Sequence, residues 1–125
     1  MADYSRGILR IDLTTRAVRL LETADDVLAL GIDGLYLVEG GLIGIQNGVA
    51  PHRVVRLRLD ASGDRVEHAE VLERARPDYA EPTLGVVVGQ DLFYLAASQW
   101  ERFRDDGTID APDTLRPSLV LRLRL

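Results

Sequence analysis

Val54-Val55-Arg56-Leu57-Arg58-Leu59 is the stretch that decides the fold. Two apolar residues lead into strict alternation, which is the period of a half-buried β-strand. The same pattern stands at Ile8-Leu9-Arg10-Ile11-Asp12-Leu13 and again at Val120-Leu121-Arg122-Leu123-Arg124-Leu125. The spacings are 46 residues (8 to 54) and 66 residues (54 to 120). A second motif recurs after 50 residues (38 to 88): Val38-Glu39-Gly40-Gly41-Leu42-Ile43 matches Val88-Gly89-Gln90-Asp91-Leu92-Phe93. Repeats of about 40–50 residues built only of strands predict a β-propeller.

Outward from those motifs, strands are predicted at 7–13, 17–22, 32–38, 42–46, 53–59, 65–73, 84–88, 92–97 and 118–125. Gly40-Gly41 marks a hairpin, because glycine takes the positive φ that a tight turn needs. Residues 65–73 are amphipathic and helix-prone, and their place in the repeat makes them a strand. Ser98 to Pro117 is a long loop with two prolines and Asp105-Asp106-Gly107 as breakers. With strands A to D counted outward from a propeller axis, the chain reads C-D, then A-B-C-D, then A-B-C. The expected fold is therefore all-β: a partial β-propeller of about two to two and a half four-stranded antiparallel blades. The full blade covers about 31–73 and the last, incomplete one about 83–125. Such a run does not close a ring. The missing blades are expected from the rest of a longer chain or from other copies, and the longer chain is favoured. Val120 to Leu125 is then an edge that needs a partner strand.

Composition narrows the partners. The net charge of −5 comes with no basic cluster, which excludes nucleic acid as a partner. No apolar run reaches the length of a membrane span, and the first six residues do not read as a secretory signal. Cysteine is absent, so disulfides and thiolate metal sites are excluded. All 15 basic residues are arginine, as codon bias in a GC-rich genome would produce.

Gly31-Ile32-Asp33-Gly34-Leu35-Tyr36, followed by Ile45-Gln46-Asn47-Gly48, resembles the C-terminal blades of six-bladed propellers of the gluconolactonase/regucalcin-like superfamily. So does Pro82-Thr83-Leu84-Gly85-Val86-Val87-Val88-Gly89, with Phe93-Tyr94-Leu95-Ala96 and Ser98-Gln99-Trp100. The resemblance spans about residues 28–125. It implies lactone or ester hydrolysis by a divalent metal, Ca²⁺ or Zn²⁺, held by a glutamate, an asparagine and an aspartate from different blades. Asn47 corresponds to the asparagine. The aspartate position falls on Leu30, with Asp33 nearby and out of register, and the glutamate would lie outside this chain.

In a blade, the D–A and B–C loops open on one face, and function in such folds lives on loops. That face is expected to gather Asp25, Asp26, Asp78, Tyr79, Glu81 and Thr83 with Asn47, His52, Ser98, Gln99 and Trp100. Asp33, Asn47, His52, Glu81, Ser98, Gln99 and Trp100 form the candidate ligand-binding set. Asp33 and Asn47 are the candidates for a metal. Ser98-Gln99-Trp100 reads as the wall of a small-molecule pocket or, equally, as Trp100 packed under the long loop. Asn47-Gly48 is also plain turn chemistry. No Gly-x-Ser-x-Gly elbow and no phosphate-cradling glycine motif occurs. The expected function is a ligand- or partner-binding scaffold without catalysis. The alternatives are part of a metal-dependent lactonase or esterase, and a truncated piece without independent activity.

Overall fold

A computed structural model describes residues 1–125. Its strands are β1 (Ala2–Asp3), β2 (Gly7–Ile11), β3 (Val18–Leu20), β4 (Glu22–Thr23), β5 (Ile32–Val38), β6 (Gly41–Gln46), β7 (Arg53–Leu59), β8 (Arg65–Arg74), β9 (Gly85–Val88), β10 (Asp91–Leu95) and β11 (Val120–Arg124). There is no α-helix, only two 3₁₀ turns in the long loop, at Trp100–Arg102 and Pro112–Thr114. The fold is all-β, as expected from the alternation.

The strands form three open sheets, ordered β1-β2-β3, β4-β8-β7-β6-β5 and β11-β10-β9. The middle sheet is an antiparallel meander of β5 to β8, and Gly40-Gly41 makes its first hairpin at φ +83° and +146°. β8 is a strand despite its helix-prone composition. It pairs with β7 along the whole of that strand, and pairing with a neighbour outweighs local propensity.

One expectation for the first thirty residues is corrected, and one strand there was not foreseen. Residues 17–22 are not one strand, because the ladder breaks at buried Leu21. Leu20 and Leu21 cannot both face one side of a pleat. Beyond the break, Glu22–Thr23 crosses to the middle sheet and pairs with β8 in parallel, helped by a 3.2 Å ion pair from Glu22 to Arg65. That is the one parallel pair among the named strands; an isolated bridge between Ala80 and Ala97 is parallel as well. Ala2–Asp3, too short to carry a periodic signal, forms the third strand of the first sheet.

Packing follows the alternation. On β7, Val55 and Leu57 face the first sheet, in a core with Ile8, Leu21, Ile32 and Leu42. Val54 faces the other way, with Ile43 and Ile45, against Leu92 and Tyr94 of the last sheet. The middle sheet is thus covered on both faces. The outermost faces are not: Ile11, Val18 and Leu20 lie exposed on one, and Val86, Val88 and Val120 on the other.

Candidate functional site

The site forms where the loops before β5 and β9 meet the loops after β6 and β10. Gly31 and Gly48 bring the first two together. Gly48 N–H donates to the Gly31 carbonyl at 3.1 Å, and Gly31 N–H donates to that of Tyr4 at 2.8 Å. A Cβ on Gly31, which has φ +63°, would stand 2.7 Å from Gly48 Cα, so only glycine permits this approach. Gln46, fully buried, fastens the same loop by donating to the carbonyls of Leu28 (2.9 Å) and Leu30 (2.7 Å). Its Oε1 accepts from Arg53 Nε at 2.7 Å, so every arm of its amide is used.

Asp33 lies at the irregularity in the β5–β6 pairing, with its side chain exposed. Asn47, buried just after β6, donates Nδ2 to Asp33 Oδ2 at 3.3 Å. Asn47 Oδ1 is buried with no partner, as is His52 Nδ1. Unmade hydrogen bonds of this kind cost about 1–3 kcal/mol each. Glu81 takes a positive φ of 60°, and its carbonyl accepts from Ser98 Oγ at 2.8 Å. Burial raises the carboxyl of Glu81 above its ordinary range; the negative charge of Glu101 adds to this, and His52 opposes it. Tyr4 is raised as well, first by burial and then by the charges of Glu81 and Asp33.

Trp100 stands 60% exposed rather than packed beneath the loop, tilted on Phe103 with ring centroids 5.4 Å apart. Between them and Asp33 lies a cavity of about 470 Å³. Thr83, Leu84, Leu95, Ala97, Ser98 and Ser118 complete its lining. The lining is apolar and aromatic at Leu84, Leu95, Ala97, Trp100 and Phe103 and polar at Asp33, Thr83, Ser98 and Ser118.

Six of the seven candidate residues therefore gather around one loop face. Asp33, Ser98 and Trp100 line the cavity, and Asn47, His52 and Glu81 stand behind it through Asp33 and the Glu81–Ser98 link. Gln99 is the exception, because its amide is spent on the long loop. Gln99 Nε2 donates to the Arg116 carbonyl at 3.1 Å, and Oε1 accepts from Arg116 N–H at 3.0 Å. Asp78 and Tyr79 turn to a different cluster, with Arg76, Glu73 and Tyr94. Sequence reasoning missed Tyr4, Leu84, Glu101 and Phe103. Leu84 stands in a motif, but only as a strand residue; Tyr4, Glu101 and Phe103 sit in no motif, and only the loop paths bring them near the others.

Asp33 and Asn47 are joined by that single 3.3 Å hydrogen bond, with Asn47 Oδ1 left over, and no group of three or more acidic, histidine or cysteine side chains converges that could hold a metal ion. No helix is long and apolar enough to cross a membrane. Compared with known proteins, the chain matches no family model, no curated protein and no solved structure.

Proposed function

We propose that the chain is a run of β-propeller blades of gluconolactonase-like type, and that its loop face binds a small organic ligand without catalysing its conversion. The observation that carries the ligand reading is the cavity between Asp33 and Trp100. A cavity lined by a carboxylate together with an indole and a phenyl ring favours an organic ammonium ion, which gains from both. Support for the blades comes from repetition. The last sheet packs on the middle one through its Leu92 face, as the middle sheet packs on the first through its Leu42 face. The exposed apolar faces at both ends are the counterparts of faces that are covered in the middle, so further sheets are the partners expected there.

Trp100 is the only tryptophan, so its fluorescence reports on the cavity alone. Titration with benzylammonium should give a saturable change, with benzyl alcohol much weaker. Asp33→Asn should weaken the ammonium response several-fold and leave the alcohol response unchanged. A flat response to both probes would overturn the ligand reading.

A further inference from the structure

The last sheet repeats the first three strands of the middle sheet's meander, β5 to β7, and has no counterpart of β8. Across the middle sheet, Leu37 stands opposite Leu42, and Leu42 opposite Leu57. Across the last sheet, Val87 stands opposite Leu92, and Leu92 opposite Leu123. β11 is therefore the counterpart of β7 in position as well as in sequence. β7 carries β8 on its far side, and nothing lies beyond β11.

The open row has a definite composition. Ala96 N–H donates to the Leu119 carbonyl and Leu125 N–H to that of Gln90, both at 2.8 Å. In an antiparallel ladder this alternation turns the backbone groups of Leu121 and Leu123 toward β10. Those of Val120, Arg122 and Arg124 face outward. Such an edge is a template for one more strand.

The β7–β8 pair indicates which strand would fit. Arg56 stands opposite Glu70, with charges 3.9 Å apart, while Val55 faces Val71 and Leu57 faces Ala69. β11 repeats the inner half of this arrangement: Arg122 stands where Arg56 does, and Leu121 and Leu123 where Val55 and Leu57 do. Arg122 and Arg124 share one carboxylate, Asp91, at 2.9 and 3.6 Å. The edge is left with excess positive charge in a chain of net charge −5. Pairing with a second copy of β11 in full overlap would set Arg122 against Arg122, which is repulsive.

We infer that the open edge of β11 binds an extended peptide segment as a fourth antiparallel strand. This segment comes from outside these 125 residues, with carboxylates on one face and aliphatic side chains on the other. Its acidic residue sits opposite Arg122, and its aliphatic ones opposite Leu121 and Leu123. The inference rests on the repetition of the sheets and is independent of the cavity at Trp100.

A fluorescent peptide copying residues 65–74 is the probe, with a control in which Glu67, Glu70 and Glu73 are lysine. The full chain should give a saturable rise in anisotropy with the first peptide and none with the control. Hydrogen exchange should show new protection at the amides of Arg122 and Arg124, with Leu121 and Leu123 protected before and after. Arg122→Glu should weaken binding about tenfold or more. Arg122→Pro, which removes an outward N–H and no ladder bond, should abolish it. Should that variant fail to fold, Arg122→Glu and the exchange data decide. Absence of binding would overturn the inference, as would equal binding of the lysine peptide. Peptide exchange into the middle sheet, seen as binding without protection at Arg122 and Arg124, would also overturn it. So would a dimer in sedimentation that Arg122→Glu dissolves, because a second copy would then be the occupant.

Discussion

The middle and last sheets begin from nearly the same sequence and end in different circumstances. Val54-Val55-Arg56-Leu57-Arg58-Leu59 lies inside a sheet covered on both faces, with β8 beyond it. Val120 to Leu125 lies at an open edge, with one face against the middle sheet and the other exposed. Leu57 is fully buried, whereas Leu123 is half-buried. One pattern thus yields a core strand or a rim strand according to what is packed around it. The alternation fixes only which side chains share a face; the neighbours fix how much those side chains contribute.

The largest test of that contrast is a pair of truncations. Leu57→Ala should cost about 2–5 kcal/mol, the range for a leucine removed from a closed core. Leu123→Ala should cost about half of that or less, because solvent already reaches its site. Urea unfolding measures both, and equal losses would break the contrast. Next is the polar link that ties the two sheets together. Tyr94, buried on β10, donates to Glu73 Oε2 of β8 at 2.8 Å and shares a 2.9 Å hydrogen bond with Tyr79. Burial, foremost, holds the Tyr94 hydroxyl well above its ordinary range, so it stays protonated as the donor. Tyr94→Phe should cost about 1–3 kcal/mol by leaving the Glu73 carboxylate short of a donor. Protection from exchange should then fall in the last sheet before the middle one.

Acid should separate the two sheets further. Asp91 begins β10 at the position where β6 has Gly41, so only the last sheet carries this carboxylate. The hydrogen bond from Arg122, foremost, holds the Asp91 carboxyl below its ordinary value of 3.8. A lowered acid stabilises the folded state above the ordinary value, and that stabilisation is lost as pH falls through the lowered one. As pH falls below the ordinary carboxylate range, amide exchange at Leu123 should therefore quicken more than at Leu57. Asp91→Asn should remove the difference. Glu81 has the opposite sign: its raised carboxyl destabilises the folded state as pH rises, so Glu81→Gln should raise the melting temperature at pH 7 and change little at pH 4. The smallest expected effect is that of metal. Calorimetric titration with Ca²⁺ or Zn²⁺ should give no saturable heat. A measurable site that Asn47→Ala abolishes would favour the hydrolase alternative over the scaffold.

How far the sequence could be read followed from the range of each signal. The alternation in β2, β7 and β11 is local, and so is the turn chemistry of Gly40-Gly41, so both were legible from neighbouring residues. The split at Leu21 was not, because it depends on β8, which lies more than forty residues on. The loop contacts follow from strand order rather than from spacing. A strand order that puts two kinds of loop at one end brings Asp33, Asn47, Glu81 and Ser98 together whatever their spacing. The Gln99 amide was misplaced because its partner, the Arg116 backbone, lies across a loop with no periodic pattern. Tyr4, Glu101 and Phe103 went unseen for the same reason.

Sequence by itself determined the alternating strands β2, β7 and β11, their faces and the spacing at which they recur, because a pleat obliges alternate residues to opposite sides. Tertiary structure alone decided which of three similar strands is interior and which is an edge. It also decided whether Trp100 lies under its loop or beside a cavity. Those outcomes depend on neighbours distant in the chain, whose approach is set by packing and by hydrogen bonds such as Gly48 to Gly31, not by any local preference.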